Sequence, residues 1–427
     1  GTDRCTGHGM TVYICDTTLI NRAAVIRLYP NREQAAALRR WQGGLRRLWN
    51  DTWAWCKQQR ETAGKWPNKA GIQNFMVAHK KEEATAWMQD IPAHAILTLA
   101  DDLHRAMRNW FEKRAKMPKF RGKFARQFSV YMVNQATKFS EQHVRLPKLG
   151  EVRFKAGDLP EGRLLSSRIY RDADKWFMSS VFECQPFEAS IGTVECVGID
   201  MGVKTLATVF DGEQHIRFQS PKALDKHLAA LRRYQRRVSR RVKGSNRRED
   251  AKRRVARLHQ KIANIRKDAM HKATSEIVKM ACTIKVESLN VKGMMGMNGA
   301  RHTADAGMGD FLRTLKYKAA WHGLTLVEAS RWFPSSQTCC KCGEIHKEMA
   351  TKRRDVLRCD CGNVMQRDDN ASINLYTYRQ EAGNVGGKTP KTRMEIGGQV
   401  AAAMPLPVPV SEVRILKRAT HHESRVV

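Results

Sequence analysis

Five cysteines, Cys339, Cys340, Cys342, Cys359 and Cys361, fall within 23 residues of a 427-residue chain. The other six (Cys5, Cys15, Cys56, Cys184, Cys196 and Cys282) are scattered, as small apolar core residues would be. A chain this long can bury real cores without disulfide staples, so the cluster reads as a metal site. Cys339-x-x-Cys342-Gly and Cys359-x-Cys361-Gly form two knuckles separated by sixteen residues. Four thiolates suit a tetrahedral Zn²⁺ of the structural kind, because they leave no open position for water. Cys340-x-Cys342 repeats the spacing of the second knuckle and is the alternative to Cys339; Cys339, Cys342, Cys359 and Cys361 are the assigned ligands. Residues 334–364 are therefore expected to close as a zinc ribbon.

Three patterns organise the rest. Residues 23–190 open with a short strand ending at Pro30, followed by Asn31 and Gln34 spaced as a capping box. Leu38, Trp41, Leu45, Leu48, Trp49 and Trp53 then recur at helical spacing, a core stripe rather than a base-stacking platform. Helical text continues to about 117, and alternating strands follow to Cys184, the last a hairpin around Asp172–Asp174. This predicts a wedge-like β-barrel with a helical insertion at 32–117. From 191 to 380, "VECVGID", "LATVF" and "HIRFQS" predict a three-strand meander, a basic helical hairpin follows at 221–280, and "CTIKVESLNV" and "LTLVEAS" add two strands. Residues 1–22 are left as a leader or tag, and 381–427 read as a disordered basic tail.

The chain carries 76 Lys+Arg against 42 Asp+Glu, a net charge of +34. Such an excess calls for a polyanion, most simply nucleic acid, whose phosphates the cations would neutralise. No run of about 20 apolar residues spans a bilayer and no signal segment is evident, so a bacterial cytoplasmic, nucleoid-associated location is expected. In the hairpin, Arg232, Arg233, Arg236, Arg237, Arg240, Arg241 and Lys243 are the candidate nucleic-acid contacts, with few acids to offset them.

Three strands, a fourth, a fifth and a final helix is the element order of an RNase H-like α/β domain, and acids fall at its key places. Asp200 ends "VGID", Glu287 ends "IKVE", and Asp368 or Asp369 begins the helix in "RDDNASINL". Carboxylates from separate elements suit Mg²⁺, a hard ion that keeps open positions for water and phosphate. Two such ions can activate water and stabilise the leaving oxygen of a phosphodiester. Gly198 and Gly202 flank Asp200 and would admit a phosphate backbone. Taken singly, Asp200 could cap a turn, Glu287 could be a solvated acid, and Asp368 is a natural helix N-cap.

"GIDMGVKTLATV", "VESLNVKGM", "FPSSQTCCKCG" and "RDDNASINL" resemble the RuvC and zinc-ribbon motifs of the TnpB family of transposon-encoded RNA-guided nucleases. "RLYPNREQ" and "RLPKLGEVRF" extend the likeness over roughly residues 23–380. The resemblance implies a Mg²⁺-dependent endodeoxyribonuclease with one RuvC-type site, working as one chain with a guide RNA from the transposon end on double-stranded DNA beside a short motif. The family's D-R-D-x-N-A-A-x-N pattern, laid on "QRDDNASIN", assigns Asp200, Glu287 and Asp368 as catalytic and Mg²⁺-binding, with Asp369 at the variable position. Gln366, Ser372 and the short second knuckle depart from the pattern. The barrel and its insert would hold guide RNA and the flanking motif. A compact type V CRISPR effector shares these motifs and is the alternative. A non-cleaving RNA-guided repressor would have lost an acid. A cut-and-paste transposase would order its acids Asp, Asp, Glu, whereas this chain has Asp, Glu, Asp.

Overall fold

The computed structural model describes residues 19–122, 129–155, 159–187, 192–289, 291–294, 300–351 and 355–379. Residues 1–18 of the expected 1–22 leader, and the expected tail 381–427, lie outside the described residues. The chain divides into two units, one built from Asp16–Pro186 with Leu231–Gln260, the other from Phe187–Ala230 with Lys261–Val427.

The first unit starts at β1 (Ile20–Tyr29), three residues before the expected boundary. Ile20, Asn21 and Arg22 already pair with Cys184, Glu183 and Phe182, which draws the strand back. The Asn31 capping box starts α1 (Arg32–Ala63), and Gly64 ends it in a left-handed conformation at φ 67°. Helices α2 (Lys69–His79) and α3 (Ala93–Phe111) follow, with a 3₁₀ segment at Glu83–Asp90 between them. The whole Trp41–Trp49–Trp53 stripe is buried with Leu38, Leu45 and Leu48, as its 3.6-residue period requires.

Strands β2 (Val130–Met132), β3 (Lys138–Phe139), β4 (His143–Leu146), β5 (Gly150–Phe154), β6 (Arg163–Asp172) and β7 (Lys175–Cys184) join β1 in one antiparallel sheet. Its order is β2-β6-β7-β1-β5-β4-β3. β3 and β7 stand four strands apart, about 19 Å in a flat sheet. Yet Phe139 and Phe182 meet at 5.9 Å between ring centroids, so the sheet curls strongly. Gln34 reaches from the capping box to the carbonyls of Leu149 and Glu151, at 3.1 and 2.8 Å, and fixes where α1 leaves the sheet.

The second unit contains β8 (Val194–Asp200), β9 (Thr205–Phe210) and β10 (His215–Gln219), an antiparallel meander. Asp211 accepts the Glu213 and Gln214 N–H groups at 2.9 and 2.8 Å, closing the β9–β10 turn. Next come α4 (Ala223–Ser239), α5 (Asn246–Met280) and β11 (Ala281–Glu287). Helices α6 (Val291–Met294), α7 (Ala300–Ala306) and α8 (Met308–Trp321) lead to β12 (Thr325–Ala329). Helix α9 (Glu348–Thr351), the hairpin β13 (Val356–Arg358) and β14 (Val364–Gln366), and α10 (Arg367–Thr377) complete it. The central sheet runs β10-β9-β8-β11-β12, with β11 parallel to both β8 and β12. Its core is Val197, Ile199, Val209, Ile284 and Val286 against Ile277, Phe311 and Leu315.

The tip of the α4–α5 hairpin, Leu231–Gln260, groups with the first unit rather than with residues 191–380 as expected. Two side chains explain it: Arg257 Nε donates to Asp174 at 3.1 Å, and Gln260 Nε2 to Asp172 at 2.8 Å, both at the β6–β7 turn.

Replacing Trp53 by Ala should cost about 3–5 kcal/mol of stability, read by denaturant unfolding. Trp53→Phe should cost far less, because the indole N–H makes no hydrogen bond among the described residues.

Candidate active site

Asp200 is the last residue of β8 and Glu287 the last of β11, its parallel neighbour. The register pairs Ile199 with Val286, so the two acids emerge side by side at the carboxyl ends of the strands. The third acid arrives on α10, which packs on β8 because Gly198 has no side chain. A Cβ there would lie 2.2 Å from the Ser372 carbonyl oxygen and 2.3 Å from the Tyr376 nitrogen. The space at Gly198 is thus filled by helix backbone, which corrects the expectation that it admits a phosphate. Lys285 of β11 holds the other end of the helix, donating to the Tyr376 carbonyl at 2.6 Å. At Gly202 a Cβ would lie 2.9 Å from the Thr205 carbonyl oxygen and 4.0 Å from Asp368 Oδ2.

All three carboxylates hold their protons above the ordinary range. Burial does most for Asp200, and the charges of Glu287 and Asp368 beside it add to the effect. Burial also raises Glu287 and Asp368, and Arg367 opposes the rise in all three. Arg367 is the residue that sequence reading missed. Its guanidinium shares the acids' field, yet its hydrogen bond goes to Ser336 Oγ at 3.2 Å. The acids are a looser set than the cysteines. Among the described residues, the groups with three or more ligand atoms mutually within 4.8 Å are the cysteine quartet and Glu344–His346–Cys359.

Asp368 and Asp369 part company in the structure. Asp369 is buried and takes Arg217 Nη2 of β10 on both oxygens, at 2.6 and 2.5 Å. That pairing commits it to holding α10 against the sheet. Asp368 is in the first turn of α10 without capping it; Gln366 occupies the N-cap position and makes no side-chain cap bond. The N-cap reading of Asp368 therefore falls.

Two further residues of the motif do structural work. Asn370 accepts the Cys340 N–H at 2.9 Å and donates to the Thr338 carbonyl at 2.7 Å. Asn374, one turn on, donates to the carbonyls of Ser335 and Thr338 at 2.7 and 2.6 Å. Both asparagines are buried, so these bonds repay their desolvation. Their i, i+4 spacing was the signal available in the sequence.

The segment they grip leads into the cysteines. Cys339, Cys342, Cys359 and Cys361 converge, with Sγ–Sγ separations of 3.6 Å for Cys339–Cys361 and 3.4 Å for Cys342–Cys359. Cys340 is outside the quartet, its backbone spent on Asn370. Burial opposes ionisation of Cys339, but N–H donors from Cys342, Asn363 and Lys341 outweigh it and bring the thiol down to about 6.

On the hairpin, Arg232, Arg233, Arg236, Arg237, Arg240 and Lys243 are exposed. Arg241 is half-buried and donates to the Arg247 carbonyl at 2.6 Å across the turn. Tyr234, Arg237, Arg241, Asp250, Ala251 and Arg254 line a small cleft there.

Comparison with known proteins places this arrangement. The OrfB_IS605 family, described as "Probable transposase", matches residues 181–298. A "Cas12f1-like, TNB domain" family matches 309–375, and a "Helix-turn-helix domain" family matches 20–65, a span that here is β1 and the single helix α1. A Streptomyces pristinaespiralis protein named "Putative RNA-guided DNA endonuclease" is 33% identical over 368 residues, 83% of this chain and 89% of its own. InsQ of Escherichia coli K12, under the same description, is 30% identical over 347 residues, 77% of this chain and 84% of its own. In a cryo-EM structure of a Cas12f1–sgRNA–target DNA complex, one chain shares the α/β fold, with a TM-score of 0.52 at 11% identity over 84% of this chain and 99% of that one. On sequence shared across most of their length with these relatives, the chain belongs to the TnpB family.

Proposed function

We propose that this chain is a transposon-associated, RNA-guided DNA endonuclease whose single cutting site is the Asp200–Glu287–Asp368 pocket. The observation that carries the reading is the meeting of three carboxylates from β8, β11 and α10, each held above its ordinary pKa. The 3-2-1-4-5 pattern of the central sheet supports an RNase H-like, RuvC-type domain. The curled seven-stranded sheet with its helices supports a wedge-like barrel that grips guide RNA and the flanking DNA motif.

The residues fit a hard divalent cation: the donor set is all oxygen and partly exposed, and the three acids outnumber the one cation, Arg367, that acts on all of them. Asp200, Glu287 and Asp368 would hold Mg²⁺, which when bound supplies an activated water and a stabilised leaving oxygen. The chain's own part is placement. The paired ends of β8 and β11 fix two acids on rigid backbone, and the Gly198 contact sets the third. Arg367, held by Ser336, offers positive charge to a phosphate entering the pocket.

The quartet of cysteines fits Zn²⁺. Ligands on a tetrahedron with bonds of about 2.3 Å stand about 3.8 Å apart, close to the separations observed. Such a site would brace residues 335–340 and, through Asn370 and Asn374, the start of α10. Guide RNA and target DNA would lie along the exposed hairpin cations, sequence being read by base pairing and the protein reading backbone and shape. One chain with its RNA is the working unit in this reading.

Substituting Asp200, Glu287 or Asp368 by Ala should cut guide-directed cleavage by about 10²–10³-fold or more, while gel-shift binding of target DNA is retained. Asp369→Ala should keep cleavage but lose about 1–3 kcal/mol of stability, since Arg217 is left without its partner. Cleavage surviving in Asp368→Ala but not in Asp369→Ala would reverse the assignment. Metal analysis should find about one zinc per chain, and Cys359→Ser should lose the metal and lower the melting temperature; a folded chain without zinc would contradict the ribbon.

A further inference from the structure

Trp332 is 84% exposed, the most exposed large apolar side chain among the described residues. Its loop is not loose. Trp332 N–H donates to Ser330 Oγ at 3.3 Å, Phe333 N–H to the Ser330 carbonyl at 2.9 Å, and Ser330 N–H to Tyr378 Oη at 3.2 Å. The adjacent Phe333 turns inward, its ring 4.8 Å from that of Tyr378. The chain therefore anchors one aromatic and presents the next to solvent, forgoing the burial a Trp usually gains. Arg331 lies beside it, its guanidinium carbon 5.4 Å from the indole centroid.

The position of this pair decides its use. Trp332 is four residues from Ser336, the residue that holds Arg367 at the acidic pocket. Ala329, the last residue of β12, also pairs with Glu287, and Trp332 follows it by three residues, a reach of at most about 11 Å. Arg331 stands over the indole ring, and the exposed remainder of the ring offers a π-surface to an unpaired nucleobase while the guanidinium offers charge to its phosphate; stacked duplex bases offer no free face.

Resting on the nuclease reading above, we propose that Trp332, with Arg331, is a stacking platform for one unpaired base of the DNA strand entering the Asp200–Glu287–Asp368 pocket. It makes the site select single-stranded, already unwound DNA and helps fix the cut position. The reacting strand is the occupant, not the guide RNA, because the platform stands beside the acids that act on DNA.

The test uses the full chain with its copurifying guide RNA. Trp332→Ala should slow cleavage by about 5- to 150-fold, the equivalent of about 1–3 kcal/mol of lost stacking. Its melting temperature should stay unchanged, and Trp332→Phe should restore most of the rate. Single abasic sites placed through the cut region should expose one position that costs the wild type a similar factor and costs Trp332→Ala nothing. Wild-type rates in Trp332→Ala, or an abasic penalty that persists there in full, would overturn the proposal. Photocross-linking with 5-iododeoxyuridine at each target position in turn, in the Asp200→Ala complex, should label Trp332 with DNA. No DNA cross-link at Trp332 from any target position would overturn it too. Because the cross-link needs no cleavage, a complex that never cuts would defeat the nuclease reading and still decide this one.

Discussion

The contact between Gly198 and the backbone of α10 governs the candidate site. Any side chain at 198 would collide with the Ser372 carbonyl and the Tyr376 backbone, at 2.2–2.7 Å from its first carbon. Only with that space free does α10 lie against β8, and only then does Asp368 enter the field of Asp200. The helix is then held from several sides. Lys285 takes its last turn, Arg217 takes Asp369, and the two asparagines take the loop before the cysteines. Asp369, Asn370 and Asn374, all buried, each anchor the helix to a partner outside it.

This arrangement gives a reason for the cysteine cluster to stand directly before Asp368 in sequence. Cys340 and Thr338 present backbone groups to Asn370, and Thr338 and Ser335 present carbonyls to both asparagines. A rigid knuckle makes those groups a fixed rack for the helix. Repulsion among the three carboxylates would otherwise push α10 away, and Arg367 is placed to offset part of it.

Much of this was legible in the sequence because it rests on local period and spacing. The tryptophan stripe, the Asn31–Gln34 box, the Asp211–Gly212 turn and the strand ends carrying Asp200 and Glu287 are all short-range patterns. What escaped depends on distant partners. Nothing near Asp369 signals Arg217, 152 residues away. Gly198 reads as room for a ligand until the helix that fills it is seen. Asp368 has the composition of an N-cap, but the strand β14 runs straight into the helix and gives that place to Gln366. Asn374 carries a spacing signal, four residues from Asn370, whereas nothing in the local sequence marks Trp332 as exposed.

In the function proposed above, β8, β11 and α10 build one divalent-cation pocket in which Asp368, not Asp369, is the helix's contribution. Anomalous diffraction from crystals of the Mn²⁺-soaked protein tests it most directly. The predicted result is manganese density bounded by Asp200, Glu287 and Asp368, with Asp369 still on Arg217. Manganese on Asp369, or none between β8 and α10, would contradict it.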